Sequence, residues 1–427
     1  EANYLLGLAL YDKGMIPEAI DAFNKTLELD QNYLNGYFYL GTIFFHQGNI
    51  DKAIDIFKKI IQIDPTNAMA EYNLGFIYNK EGSIDDAIAA FNKAIEKKPD
   101  YHQAFNNLGA IYYVKGAGDE AIKLYENAIK ANPDYAESYF NLGTIYLEQD
   151  QLDNAVAKLK QAADLAPNFV DALYNLGIAY RKKGMLDEAI SILIRASAIN
   201  PNDTRTLNNL AIAFYEKGKF DDAIVTYENI AAITPDDAKV FYNLGIVYFK
   251  KGMFNDAISE FQKVLELVPD HVEARYNLGV IYLKKNMFND SIREFNETLK
   301  REPSFAKAYI NLGVVYYQKG LPDEAISAFN RAIEISPNSA EAHYNASFAY
   351  LKKGLYEDAI NVLKKGIEFE PNNDLLHFLL GNAYSDNGLL EEAVQEWEKA
   401  LEVNPENYKA YNNLGFAYYN LKKLSLN

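Results

Sequence analysis

The stretch Tyr242–Pro269, YNLGIVYFKKGMFNDAISEFQKVLELVP, returns along the chain at a spacing of 34 residues. Leu-Gly, a Tyr three residues on, an Ala, an aromatic or Leu, and a closing Pro keep their offsets from copy to copy. Here Phe241, Leu244, Gly245 and Tyr248 follow the i, i+3, i+4, i+7 spacing of one helix face. Ala257, Phe261, Val264 and Leu265 do the same for a second helix. Between them, Lys250 and Lys251 suit the last turn of the first helix, Gly252 a left-handed cap, and Asp256 the first turn of the second. Pro269 closes the second helix and starts the turn into the next copy. Gly245 has no side chain, so the partner helix is expected to pack closely against it.

Outward from this copy the prolines fall every 34 residues from Pro65 to Pro405, without insertion or deletion. Residues 1–407 hold twelve copies, the first cut at its start, and residues 408–427 hold part of a thirteenth. Such a period gives one helical hairpin per copy and a core that grows with length, which overrides the usual division of a chain this long into globular domains. In its aromatic, Leu-Gly, Tyr, Ala, Phe, Ala, Pro signature the chain resembles the tetratricopeptide repeat (TPR) family over essentially its whole length. The resemblance implies an all-α fold, a right-handed superhelical solenoid whose first helices line a concave groove. It also implies a protein–protein interaction scaffold rather than an enzyme. Departures are local: Ala211 and Ser347 replace the packing Gly, and Asp150, Asn286 and Lys422 replace the turn Gly. Asn and Asp accept a left-handed cap, so Lys422 alone suggests a degenerating copy.

The net charge of −17 argues against nucleic acid and anionic membrane surfaces as partners. With no cysteine there is neither disulfide nor thiolate metal site, and cytoplasmic and exported locations are both compatible. No apolar run reaches the length of a membrane span, so no membrane insertion is expected. The glycines occupy packing and cap positions, and no phosphate-binding loop is present. Of five histidines only His343 and His377 share a place, without a regular acidic partner; no metal and no cofactor is expected. Trp397 takes the slot of Phe261 and Phe295 and reads as core.

What the packing positions leave over is a row of asparagines: Asn73, Asn107, Asn141, Asn175, Asn209, Asn243, Asn277, Asn311 and Asn345. Each stands just before Leu-Gly, or its substitute, on the side of the first helix turned away from its partner; the resemblance places that side in the groove. An amide offers a donor and an acceptor, so such a row suits the backbone of an extended peptide or protein segment. The peptide-binding repeats of O-linked N-acetylglucosamine transferases look similar in this respect. At about 8–10 Å per helix the row spans roughly 65–80 Å, enough for on the order of 20 extended residues. Aromatics flank it one residue before (Tyr72, Phe140, Tyr174, Tyr242, Tyr276, Tyr344) and six beyond (Tyr113, Tyr215, Phe249, Tyr317). Half-exposed tyrosines favour peptide contact. The structural alternative is that the asparagines serve the helix surface and the tyrosines pack on neighbouring copies.

The pairs Lys182-Lys183, Lys250-Lys251, Lys284-Lys285 and Lys352-Lys353 are read as complementing helix ends and pairing with acids at the next helix start, such as Asp187-Glu188. The other reading is a basic spiral for acidic ligands. The Lys and Asn of a carboxylate clamp, as in chaperone-tail-binding members of the family, are absent: Tyr72 with Phe76 and Tyr174 with Ile178 stand at those places. At the two ends, Leu5 and Leu8, and Leu414 and Tyr418, are expected to expose core. This fits either a segment of a longer protein, such as the substrate-recruiting arm of an enzyme, or head-to-tail self-assembly into filaments.

Overall fold

The computed structural model describes residues 1–424, the side chains as far as Leu421, and these hold 25 α-helices and no strand. Contacts divide the chain into two compact units, Glu1–Lys219 and Phe220–Asn427. Each unit is a run of helical hairpins in which every helix packs on the ones before and after it. The first helices are mostly 13 residues long, as in Ala306–Gln318, and the second ones 14, as in Pro322–Ile335. No helix among the described residues is long and apolar enough to cross a membrane.

The local chemistry follows the sequence closely. The helix Ala238–Lys251 ends at Gly252 with φ of 82°, and the N–H of Met253 donates back to the carbonyl of Tyr248 at 2.9 Å. That closes the helix with the left-handed turn that glycine tolerates best. Asp150 and Asn286 adopt the same conformation, with φ of 58° and 56°. Lys422 does not, and the helix Tyr408–Leu424 runs on through it. Where the first helix meets the second, a Cβ built on Gly279 would lie 2.6 Å from the Phe295 ring, and one on Gly313 2.5 Å from Phe329. Both rings are fully buried, as is Trp397 in the equivalent slot.

The lysine pairs correct one expectation. Lys183 binds Asp153, Lys217 Asp187, Lys251 Asp221 and Lys353 Asp323. Each acid opens the second helix of the copy before, not the next helix along the chain. Stacking sets the end of one first helix beside the start of the preceding second helix, so these ion pairs join copies instead of bracing a turn.

The terminal residues divide as well. Leu5 is 56% exposed, while Leu8 is half-buried against the cluster around Phe23. Leu414 is only 7% exposed: with Ala410 and Ala417 it packs on Ala393 and Trp397 of the preceding copy, so it does not belong to an open face. Tyr418 is exposed and its hydroxyl donates to Glu398 at 2.6 Å.

Candidate functional site

The nine asparagines of the row are all half-buried at the same place in their first helices. Most of their amides are already engaged. Nδ2 of Asn107 donates to Tyr72 Oη at 3.1 Å, Asn209 to Tyr174 at 3.3 Å, Asn277 to Tyr242 at 3.3 Å and Asn311 to Tyr276 at 2.9 Å. In every case the tyrosine precedes the asparagine by 35 residues, one more than the period, so the bond joins the first helices of adjacent copies. Where that tyrosine is missing the amide turns elsewhere. Asn141 donates to Asn106, Asn175 to Thr144 and Asn73 to the Met69 carbonyl of its own helix.

The tyrosines are held just as firmly. The Tyr276 ring lies 5.8 Å from Phe295 of its own copy and 4.9 Å from Phe305 at the entry to the next. Tyr72 sits in the same way between Phe91 and Tyr101, and Tyr242 between Phe261 and His271. Burial pushes the phenols of Tyr72, Tyr242 and Tyr276 above their ordinary range, although the asparagine donor opposes it. Tyr344 is half-buried and is followed one copy later by Leu379, so no amide reaches it from the next copy, and its own neighbour Asn345 bonds it instead. These rings therefore brace the stack and show only part of their surface to solvent.

A second link between copies, again 35 residues apart, runs along the edge of the same face. The Tyr113 hydroxyl donates to Glu148 at 2.5 Å, Arg181 pairs with Glu216 at 2.8 Å, and Lys352 lies over the Tyr317 ring at 4.5 Å. Lys284 stands 6.0 Å from the centre of the Phe249 ring. Tyr215 is half-buried at the corresponding place. The bond to Glu148, with burial and the carboxylate charge adding to it, pushes the Tyr113 phenol up to about 12. A phenol raised in the folded state stabilises the fold below its ordinary value, and that contribution is lost as pH rises through about 12. Replacing Glu148 by Gln is expected to return Tyr113 towards 10.0, read by NMR of ring-labelled tyrosine. An unmoved titration would show that Glu148 is not the cause.

One buried polar position escapes sequence reasoning. Glu71, Arg275, His343 and His377 occupy it in four copies, and mostly apolar residues fill it in the others. Arg275, His343 and His377 reach back to the carbonyls of Pro269, Pro337 and Pro371 at 2.9, 2.8 and 2.9 Å. His377 also meets Glu396 at 2.7 Å, and Glu71 meets Lys97 at 2.6 Å. Each histidine is thus tied to its own inter-copy turn. The signal was available in the sequence, as a polar residue six after the recurring proline.

Comparison with known families agrees with this architecture. Models described as TPR repeat match residues 213–252, 247–286, 349–388 and 382–422. Others described as tetratricopeptide repeat match 4–68, 44–110, 100–168, 146–211, 306–339 and 328–361. No curated protein matches. Among solved structures, YrrB, described as a TPR protein with an unusual peptide-binding site, is 25% identical; the alignment covers 44% of this chain and 97% of that one, with a TM-score of 0.42. A MamA structure is 29% identical over 38% of this chain and 95% of its own, with a TM-score of 0.37. A tetratricopeptide repeat protein from Parabacteroides merdae is 19% identical over 66% and 98%, with a TM-score of 0.44.

Proposed function

Because the chain belongs to the tetratricopeptide repeat family, we propose that the asparagine row holds the backbone of an extended peptide or protein segment across the first helices of each unit. The observation that carries this reading is the half of each amide left over. With Nδ2 of Asn107, Asn209, Asn277 and Asn311 given to tyrosine, each Oδ1 accepts nothing from the described residues and is not sealed from solvent. Orientation matters here. A free amide rotates, whereas one tied to a braced tyrosine presents its carbonyl oxygen in a fixed direction, so less freedom is lost on binding. An oxygen per copy suits backbone N–H donors, which every residue except proline supplies, and such contacts read chain direction more than side-chain identity.

The test is selection of 12-residue peptides on the full chain, followed by N-methylation of the backbone amides of those captured. Methylation removes donors without touching side chains, and each lost bond is expected to weaken capture about two- to ten-fold. Asn277→Ala with Asn311→Ala is expected to reproduce the loss. Tyr242→Phe with Tyr276→Phe removes the tether but leaves the carbonyl oxygens, and is expected to have a smaller effect. Capture indifferent to both methylation and the asparagine pair would reject the proposal.

A further inference from the structure

The two units differ in the charge they carry at the edge of the asparagine face, seven residues after each asparagine. In the first unit Glu148, Lys182 and Glu216 there are engaged, by Tyr113, Asp150 and Arg181, and Lys80, over the Phe76 ring, is an isolated open cation. In the second unit the same place holds Lys250, Lys284, Gln318 and Lys352 in consecutive copies. The three lysines are exposed, and among the described residues none has a carboxylate partner. Their sequence neighbours are spent otherwise, Lys251 on Asp221, Lys285 on Asn255 and Lys353 on Asp323. Each lysine pair thus splits into one cation that ties copies together and one that lies open. Lys284 and Lys352 rest over the rings of Phe249 and Tyr317, which hold their stems along the face.

We infer that this edge of the second unit takes an acidic, extended protein segment, with carboxylates spaced to meet Lys250, Lys284 and Lys352. The inference rests on the extended course proposed above and adds the chemistry of the ligand. In a chain of net charge −17 three neighbouring cations without counter-charges are a local exception, and complementary charge decides which partner is admitted. Spacing sharpens the demand. Packed helices lie about 8–10 Å apart and an extended chain advances about 3.3–3.6 Å per residue, so one copy corresponds to about three ligand residues. A carboxylate facing Lys250 calls for another about three residues on at Lys284, a neutral polar residue opposite Gln318, and a third carboxylate at Lys352.

Fluorescence anisotropy on the full chain tests this with three labelled peptides in a Gly-Ser background: Glu in the stated pattern, Gln in the same places, and the same number of Glu clustered together. The patterned peptide is expected to bind about ten-fold more tightly than either control, the sum of three exposed ion pairs, and to lose that advantage at high salt. Lys250→Gln, Lys284→Gln and Lys352→Gln together are expected to abolish the preference. The matching change at Lys251, Lys285 and Lys353 is expected to keep it. Equal binding of clustered and patterned acids, or a preference surviving the first triple change, overturns the inference. So does oligothymidylate bound more tightly than the patterned peptide, which would assign the row to phosphates. Backbone-dependent capture without preference for carboxylates sinks this inference and leaves the asparagine reading standing. Carboxylate preference indifferent to N-methylation supports the inference and sinks that reading instead.

Discussion

Phe329→Ala is expected to lower local stability by about 3–5 kcal/mol, the range for emptying a buried aromatic site. Phe329 is fully buried, and its ring fills the space that Gly313 leaves open in the facing helix. Copies in an array contact only their neighbours, so the loss should be local. Hydrogen exchange is expected to accelerate in Ala306–Gln318, Pro322–Ile335 and Ala340–Lys352, with distant helices protected as before. The reciprocal change, Gly313→Leu, overpacks the same contact at about 1–3 kcal/mol. In the Phe329→Ala background it should cost less, because the new methyl groups enter the emptied space. One copy carries a related exchange: Ser347, fully buried, stands at the glycine position with Leu363 at the phenylalanine position. Strict additivity of the two changes would contradict this account.

Lys97→Met is expected to destabilise the third copy by about 3 kcal/mol at neutral pH, the low end for leaving one partner of a buried pair uncompensated. The side chain of Glu71 is 6% exposed and that of Lys97 19%, with 2.6 Å between them. Equivalent places in other copies hold Tyr139, Leu173, Leu207 and Phe241, so an apolar residue fits the site. Glu71→Leu added to Lys97→Met is therefore expected to recover most of the loss, since a well-packed apolar pair commonly equals a buried ion pair. Urea denaturation of the single and double variants checks both. A neutral single change would mean that water already reaches the carboxylate.

The asparagine row shows where a reading of residue patterns stops. Its positions, period and flanking tyrosines were all legible. That the amide nitrogen is already given to the tyrosine of the copy before was not, although a spacing of 35 residues separates the two in the chain. The lysine pairs behave alike. Each pair was visible as a unit, but only the stack separates Lys251, bound to Asp221, from Lys250, exposed beside it. Leu414 was expected on an open end because it was read as packing on a following helix, and it is buried because it faces the copy before.

The amino-acid sequence by itself determined the helices, their caps and the pairing of Gly313 with Phe329, because these depend on contacts a few residues or one hairpin apart and recur at a fixed period. Cap chemistry at Gly252, Asp150 and Asn286 needs no neighbour beyond its own helix end. Only the tertiary structure decided which groups remain for a partner. A period states that copies stack but carries no measure of the offset between them. That offset brings Tyr276 to Asn311 and Tyr317 to Lys352, so it settles which donor, acceptor or cation each first helix has left to offer.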